Sequence, residues 1–181
     1  MFRRRRMMQA NALSPDQLAL LIQANRLVAA GRSLEAGALF AQVAQAMQQS
    51  NHPRRAANLY ARAAHAFADG NRGQGSLGYA RAALALFIQT NMLPRASMFY
   101  ANITRKLTAK GMQAAAGELQ AEFGARMAGQ PAMPAPADRP AHGLLPTTCP
   151  QCGAPVHGDE LSWVDDRTAE CEYCGALLRS D

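Results

Sequence analysis

The chain has 181 residues, of which only 6% are aromatic and 18% charged, and its formal net charge is +6. That length suits one ordinary domain plus a small module, and an alanine-rich, aromatic-poor composition points to closely packed helices rather than a large sheet. The longest apolar run, Ala82 to Ile88, is far too short for a membrane span.

Residues 1–13 read as a basic tail. Arg3 to Arg6 could lean on an anionic membrane at about 1 kcal/mol each, which alone is marginal, so membrane contact through Arg3–Arg6 is not expected. A secretory leader would need an apolar run after the arginines, and Gln9, Asn11, Ser14, Asp16 and Gln17 interrupt it.

Residues 14–127 form the helical part. Ser14-Pro15-Asp16-Gln17 has the order of a capping box, with a capping serine, proline at the first helical position and glutamine at the third. Leu18, Leu21, Asn25 and Val28 then share one face, with Ile22 beside it, until Gly31. Beyond it four aromatic–alanine pairs recur: Phe40-Ala41, Tyr60-Ala61, Tyr79-Ala80 and Tyr100-Ala101. Each sits in an apolar stripe, and a last stripe runs through Met112, Ala116, Leu119, Phe123 and Met127. Breakers separate the stripes at Asn51-His52-Pro53, Gly70-Asn71, Asn91 to Pro94, and Gly111; Gly70 to Gly75 reads as an inter-helix turn. The expectation is six antiparallel helices, or three hairpins of about forty residues.

With Ala36, Phe40, Ala57, Tyr60, Ala80 and Ala101 at the crossings, this part resembles tetratricopeptide-like repeats, or the wider α-solenoid class. The repeat is longer than the 34-residue tetratricopeptide unit, so a compact helical bundle stays open. The resemblance implies a concave peptide- or protein-binding surface. Tyr60, Tyr79, Phe99 and Tyr100 are expected in the core, because a stripe at helical spacing is what buries a helix.

Residues 128–147 are a Pro/Ala-rich linker, with Pro131, Pro134, Pro136, Pro140 and Pro146 among alanines. As a coil it spans roughly 25 Å, and extended roughly 60 Å.

Residues 148–181 carry all four cysteines, as Cys149-Pro-Gln-Cys152-Gly and Cys171-Glu-Tyr-Cys174-Gly. Paired Cys-x2-Cys turns at this separation suit four thiolates around one Zn²⁺, with Gly153 and Gly175 placed where such turns want a positive φ. Iron suits tetrahedral sulfur equally. Two disulfides are the other use of four cysteines, but those frameworks belong to secreted chains. Cys149, Pro150, Cys152, Gly153, Cys171, Cys174 and Gly175 resemble the short Cys-Pro-x-Cys-Gly zinc ribbons, which implies a small β fold on two zinc knuckles. Leu161 to Val164 and Thr168 to Cys171 read as its strands, with Trp163 covering its core. One structural zinc ion is the expected cofactor, and reduced thiols imply a cytoplasmic protein.

Charge divides the chain. Residues 7–127 hold twelve basic against five acidic side chains, and residues 148–181 two against seven. A ribbon this acidic is poorly suited to phosphates. Arg54, Arg55, Arg62, Arg81, Arg95 and Arg105 are candidate partner-binding residues, for an acidic peptide, nucleic acid or the chain's own ribbon, and Trp163 is a candidate on the ribbon. Catalytic residues are not expected. The helical acids form no acid–base pair set, and His52, His65, His142 and His157 lie in no nucleophile motif. With the binding surface that the repeat resemblance implies, the expectation is a non-enzymatic protein–protein adaptor. The alternative is a nucleic-acid-associated protein that meets phosphates through the basic helices and arginine tail while its ribbon recruits protein.

Overall fold

A computed structural model describes residues 13–128, 145–156, 161–165 and 167–180. It is mainly helical, with a small antiparallel sheet near the C-terminus. Among the described residues the helices are α1 (Pro15–Ala29), α2 (Ser33–Gln49), α3 (Pro53–Asp69), α4 (Gly73–Gln89), α5 (Leu93–Ala109) and α6 (Gln113–Ala128). The capping box forms: the Gln17 N–H donates to Ser14 Oγ at 3.2 Å, and the Ser14 N–H to Gln17 Oε1 at 2.9 Å.

From α2 to α6 the helix starts are twenty residues apart, at Ser33, Pro53, Gly73, Leu93 and Gln113. The turns explain this regularity. Gly31, Asn51, Asn71, Asn91 and Gly111 all take positive φ, between 58° and 77°. At each, the N–H donates to the carbonyl three residues back and the next N–H to the carbonyl five back, as in Asn71 to Ala68 (3.0 Å) and Arg72 to Phe67 (2.8 Å). That is a Schellman closure, which needs a left-handed residue and therefore glycine or asparagine.

The aromatics follow this twenty-residue period at Phe40, Tyr60 and Tyr100, with Tyr79 one place short of it. The repeated position is a small residue one turn into each helix: Ala36, Ala56, Ser76, Ala96 and Ala116, all buried. A larger side chain there would hold the neighbouring helix away. Ser76 fits because its Oγ donates to the Ala64 carbonyl at 2.9 Å. Ala101, taken as a crossing residue, is exposed, and so is Val28. Phe99 is buried, whereas Tyr60, Tyr79 and Tyr100 are half-buried at the edge of the core. The Gly70–Gly75 turn is also shorter than expected. Only residues 70–72 are turn, and Gly73 and Gly75 start α4. Gly37 and Gly75 flank the Phe67 ring, where a Cβ would stand 2.8 and 2.7 Å from it.

Helices pack against their sequence neighbours, and α3 also meets α5 while α4 meets α6. Lys106 of α5 reaches Asp69 of α3 at 2.8 Å; Arg81 of α4 reaches Glu122 and Glu118 of α6 at 2.6 and 3.2 Å. Alternate helices thus form two rows, α1/α3/α5 and α2/α4/α6, in a helical repeat-like array.

The C-terminal ribbon has strands β1 (Ser162–Asp165), β2 (Thr168–Glu170) and β3 (Leu177–Arg179), with β2 central. The first two match the sequence expectation; β3 was not anticipated. Trp163 lies opposite Ala169, and Ala169 opposite Leu178, so these three share one face of the sheet. Residues 129–144, most of the expected linker, and the basic tail through residue 12 lie outside the described residues.

Asn71→Ala is expected to cost about 1 kcal/mol, the penalty of a Cβ in the left-handed region without asparagine's local bonding, whereas Asn71→Gly stays near wild type. Urea unfolding of the two variants checks this.

Candidate metal centre and its helical seat

Both cysteine pairs fold into the same knuckle. The Cys149 N–H donates to the Ala154 carbonyl and the Gly153 N–H to the Cys149 carbonyl, each at 2.8 Å. The second knuckle repeats this with Cys171, Ala176 and Gly175, again at 2.8 Å. Gly153 and Gly175 hold φ of 72° and 80°, as the turns require. Thr148 pairs with Pro155, tying the base of the first knuckle.

The two turns bring Cys149, Cys152, Cys171 and Cys174 together, all buried, with sulfurs within 4.8 Å of one another. Cys149 Sγ lies 3.7 Å from Cys174 Sγ, and Cys152 Sγ 3.9 Å from Cys171 Sγ. These separations exceed a disulfide bond and match four sulfurs around a single ion. Hydrogen bonding from Cys152, Cys171 and Cys174 pulls the Cys149 thiol down, while bonding to Cys149 pushes Cys152 and Cys174 up. Four crowded thiols cannot all shed protons unaided; a cation removes that obstacle. The donor set therefore fits one metal ion.

The ribbon is not free-standing, because its cysteines, Ala154 and Leu178 belong to the same buried cluster as the helical core. Asn25 of α1 donates from Nδ2 to the Cys152 carbonyl at 2.6 Å. Arg55 of α3 pairs with Glu170, and Arg95 of α5 pairs with Glu172. Arg62 of α3 lies between two rings, its Cζ 4.1 Å from the centroid of Phe40 and 5.0 Å from that of Tyr173. Burial draws the Arg62 guanidinium below its ordinary value, and Tyr173, Cys152 and Cys171 draw it back. The ribbon thus rests on the α1/α3/α5 row.

The candidate partner-binding residues divide accordingly. Arg55, Arg62 and Arg95 sit in this seam; Arg54 is exposed and lines a cleft of about 490 Å³ along it, with Arg55, Arg95, Glu170 and Glu172. Arg81 bridges helices elsewhere, and exposed Arg105 bonds Asn102 at 3.0 Å. Trp163 is half-buried on β1. The pairs differ in strength. Arg95 and Glu172 expose 14% and 8% of their side chains, against 40% and 45% for Arg81 and Glu122. A pair as exposed as the second adds about 0–1 kcal/mol, whereas breaking one partner of a buried pair costs about 3–5 kcal/mol.

Sequence reading missed Asn25, Phe40, Tyr173, Glu170 and Glu172 as seam residues. The two glutamates flanking Cys171 were the available signal, being acids beside a ligand in a chain whose helices are basic.

His65 of α3 lines a smaller cleft of about 160 Å³ in the seam, edge-on to Phe99 at 5.4 Å between centroids, its Nδ1 buried without a hydrogen-bond partner among the described residues. Burial lowers its pKa from 6.5 to about 4, helped by Lys106 and opposed by Asp69. The unfolded chain therefore binds the proton more tightly than the folded one. Stability from this group is complete above about pH 6.5 and falls as the pH drops toward 4, by up to about 3 kcal/mol. Urea midpoints at pH 7.5 and pH 5 should show a smaller acid loss in His65→Leu than in wild type.

Gly153→Ala should cost about 1–2 kcal/mol through its positive φ, its nearest new contact being Asn25 Cβ at 3.9 Å. Gly175→Ala should cost more, because its Cβ runs into the Arg55 guanidinium and disrupts the pair with Glu170. Thermal unfolding followed by Trp163 fluorescence compares them.

Among the described residues no helix is long and apolar enough to cross a membrane. No family model, curated protein or solved structure matches the chain, so its functional reading rests on this geometry.

Proposed function

We propose that the protein is a non-enzymatic protein–protein interaction adaptor: a tetratricopeptide-like helical repeat joined to a ribbon that holds one structural Zn²⁺ through Cys149, Cys152, Cys171 and Cys174. The observation that carries this reading is the docked ribbon. The α1/α3/α5 row holds an acidic segment, the end of β2 and the turn after it, through paired arginines, as a repeat array can hold a partner segment. The metal role is structural because four thiolates close the coordination sphere, leaving no position for substrate or water. Zinc suits such a site, having no redox chemistry of its own. Metal-bound thiolates need a reducing compartment, so we place the protein in the cytoplasm.

The nucleic-acid reading is weaker, because many basic side chains are already matched. Arg55 and Arg95 face the ribbon's glutamates, Arg81 faces Glu118 and Glu122, and Lys106 and Lys110 face Asp69. Phosphate binding would have to displace these partners.

Affinity capture with the intact chain and with a form ending at Thr147, each with and without nuclease, tests the adaptor role. Defined proteins that survive nuclease and then bind saturably when purified support it; retention abolished by nuclease rejects it. Chelation should remove one zinc per chain and change Trp163 fluorescence while most helical circular dichroism persists, because zinc in such modules contributes about 10–16 kcal/mol to a fold too small for its own core.

A further inference from the structure

Taking the four cysteines as ligands of one divalent ion, as proposed above, we propose that the metal centre extends into the helical domain: Asn25, Arg62, Arg55 and Arg95 are positioning residues that set its metal affinity, so metal binding and seating of the ribbon form one coupled equilibrium.

Each knuckle is held from outside the ribbon. In the first, Asn25 fixes the Cys152 carbonyl, on the peptide that leads into positive-φ Gly153. In the second, Arg62 covers Tyr173, which lies between Cys171 and Cys174. Arg55 and Arg95 hold Glu170 and Glu172, so the backbone on both sides of Cys171 is anchored to helices. Groups that orient metal ligands in this way commonly change affinity when removed, although they touch no metal.

Charge makes the coupling directional. On the helical side the two seam clefts are lined by Arg54, Arg55, Arg62 and Arg95, with no carboxylate among their helical lining residues. The ribbon side presents Glu170 and Glu172. Four thiolates around a divalent ion add a further charge of about −2 that neutral thiols lack. Arg62 stands over Tyr173, in the turn between Cys171 and Cys174, and its Nη1 is buried with no hydrogen-bond partner among the described residues. The helical face therefore matches the metal-loaded ribbon better than the metal-free one. By linkage, seating strengthens metal binding by the same factor that metal strengthens seating.

The test uses the full chain, zinc competition against a chromophoric chelator, and cobalt as a spectroscopic probe. Arg62→Gln, Asn25→Leu and the double variant Arg55→Gln/Arg95→Gln should each bind zinc about 10–100-fold more weakly than wild type. Their cobalt spectra should keep the four-sulfur signature, and Arg62→Lys should recover part of the loss. Chelating the wild type should also increase modification of Arg55 and Arg62 by an arginine-selective dicarbonyl. Variants that keep their helical circular dichroism yet bind zinc within about twofold of wild type would overturn the coupling and leave the metal reading intact. If Arg62→Gln does not fold, the double variant at the rim decides. A wild-type chain that binds no zinc overturns the metal reading beneath it.

Discussion

The C-terminal ribbon has three short strands and too little apolar mass to bury a core of its own. Its four cysteines are nevertheless buried, inside a cluster continuous with the helical core. The seating of the ribbon depends on that burial. It requires two knuckles of matching geometry to converge their sulfurs, and a helical surface to exclude water from their outer side. Asn25, Arg62 and the glutamate pairs supply the surface; Gly153 and Gly175 supply the geometry.

The helical surface is fit for this role because it is regular. Five left-handed residues at twenty-residue spacing close the helices identically, and five small residues let each helix approach the next. Such an array places residues from alternate helices side by side, so Asn25, Arg55, Arg62 and Arg95, spread over seventy positions of sequence, face one small module.

Electrostatics joins the two parts. A basic helical body and an acidic ribbon could repel partners of opposite kinds, but here much of the charge is used internally. The exposed bridges between helices add little individually, whereas Arg95–Glu172 is nearly closed to water, so loss of either partner would strand a buried charge. Helices and ribbon are thereby joined into one composite surface.

Local signals determined a good deal without tertiary information. The capping box at Ser14, the turn residues Gly31, Asn51, Asn71, Asn91 and Gly111, the helical class and the four metal-ligating candidates were readable because backbone conformation and thiolate spacing are short-range constraints. Phe40, Tyr60 and Tyr100 marked the twenty-residue period, whereas the small residue that repeats one turn into each helix was hidden, because alanine is common everywhere in this chain. Opposite charges suggested that ribbon and helices could meet. Only the tertiary structure decided which residues meet, because the face is assembled from α1, α3 and α5, with Phe40 of α2 against Arg62, and which of many arginines pairs with Glu170 or Glu172 depends on helix packing that no local pattern encodes.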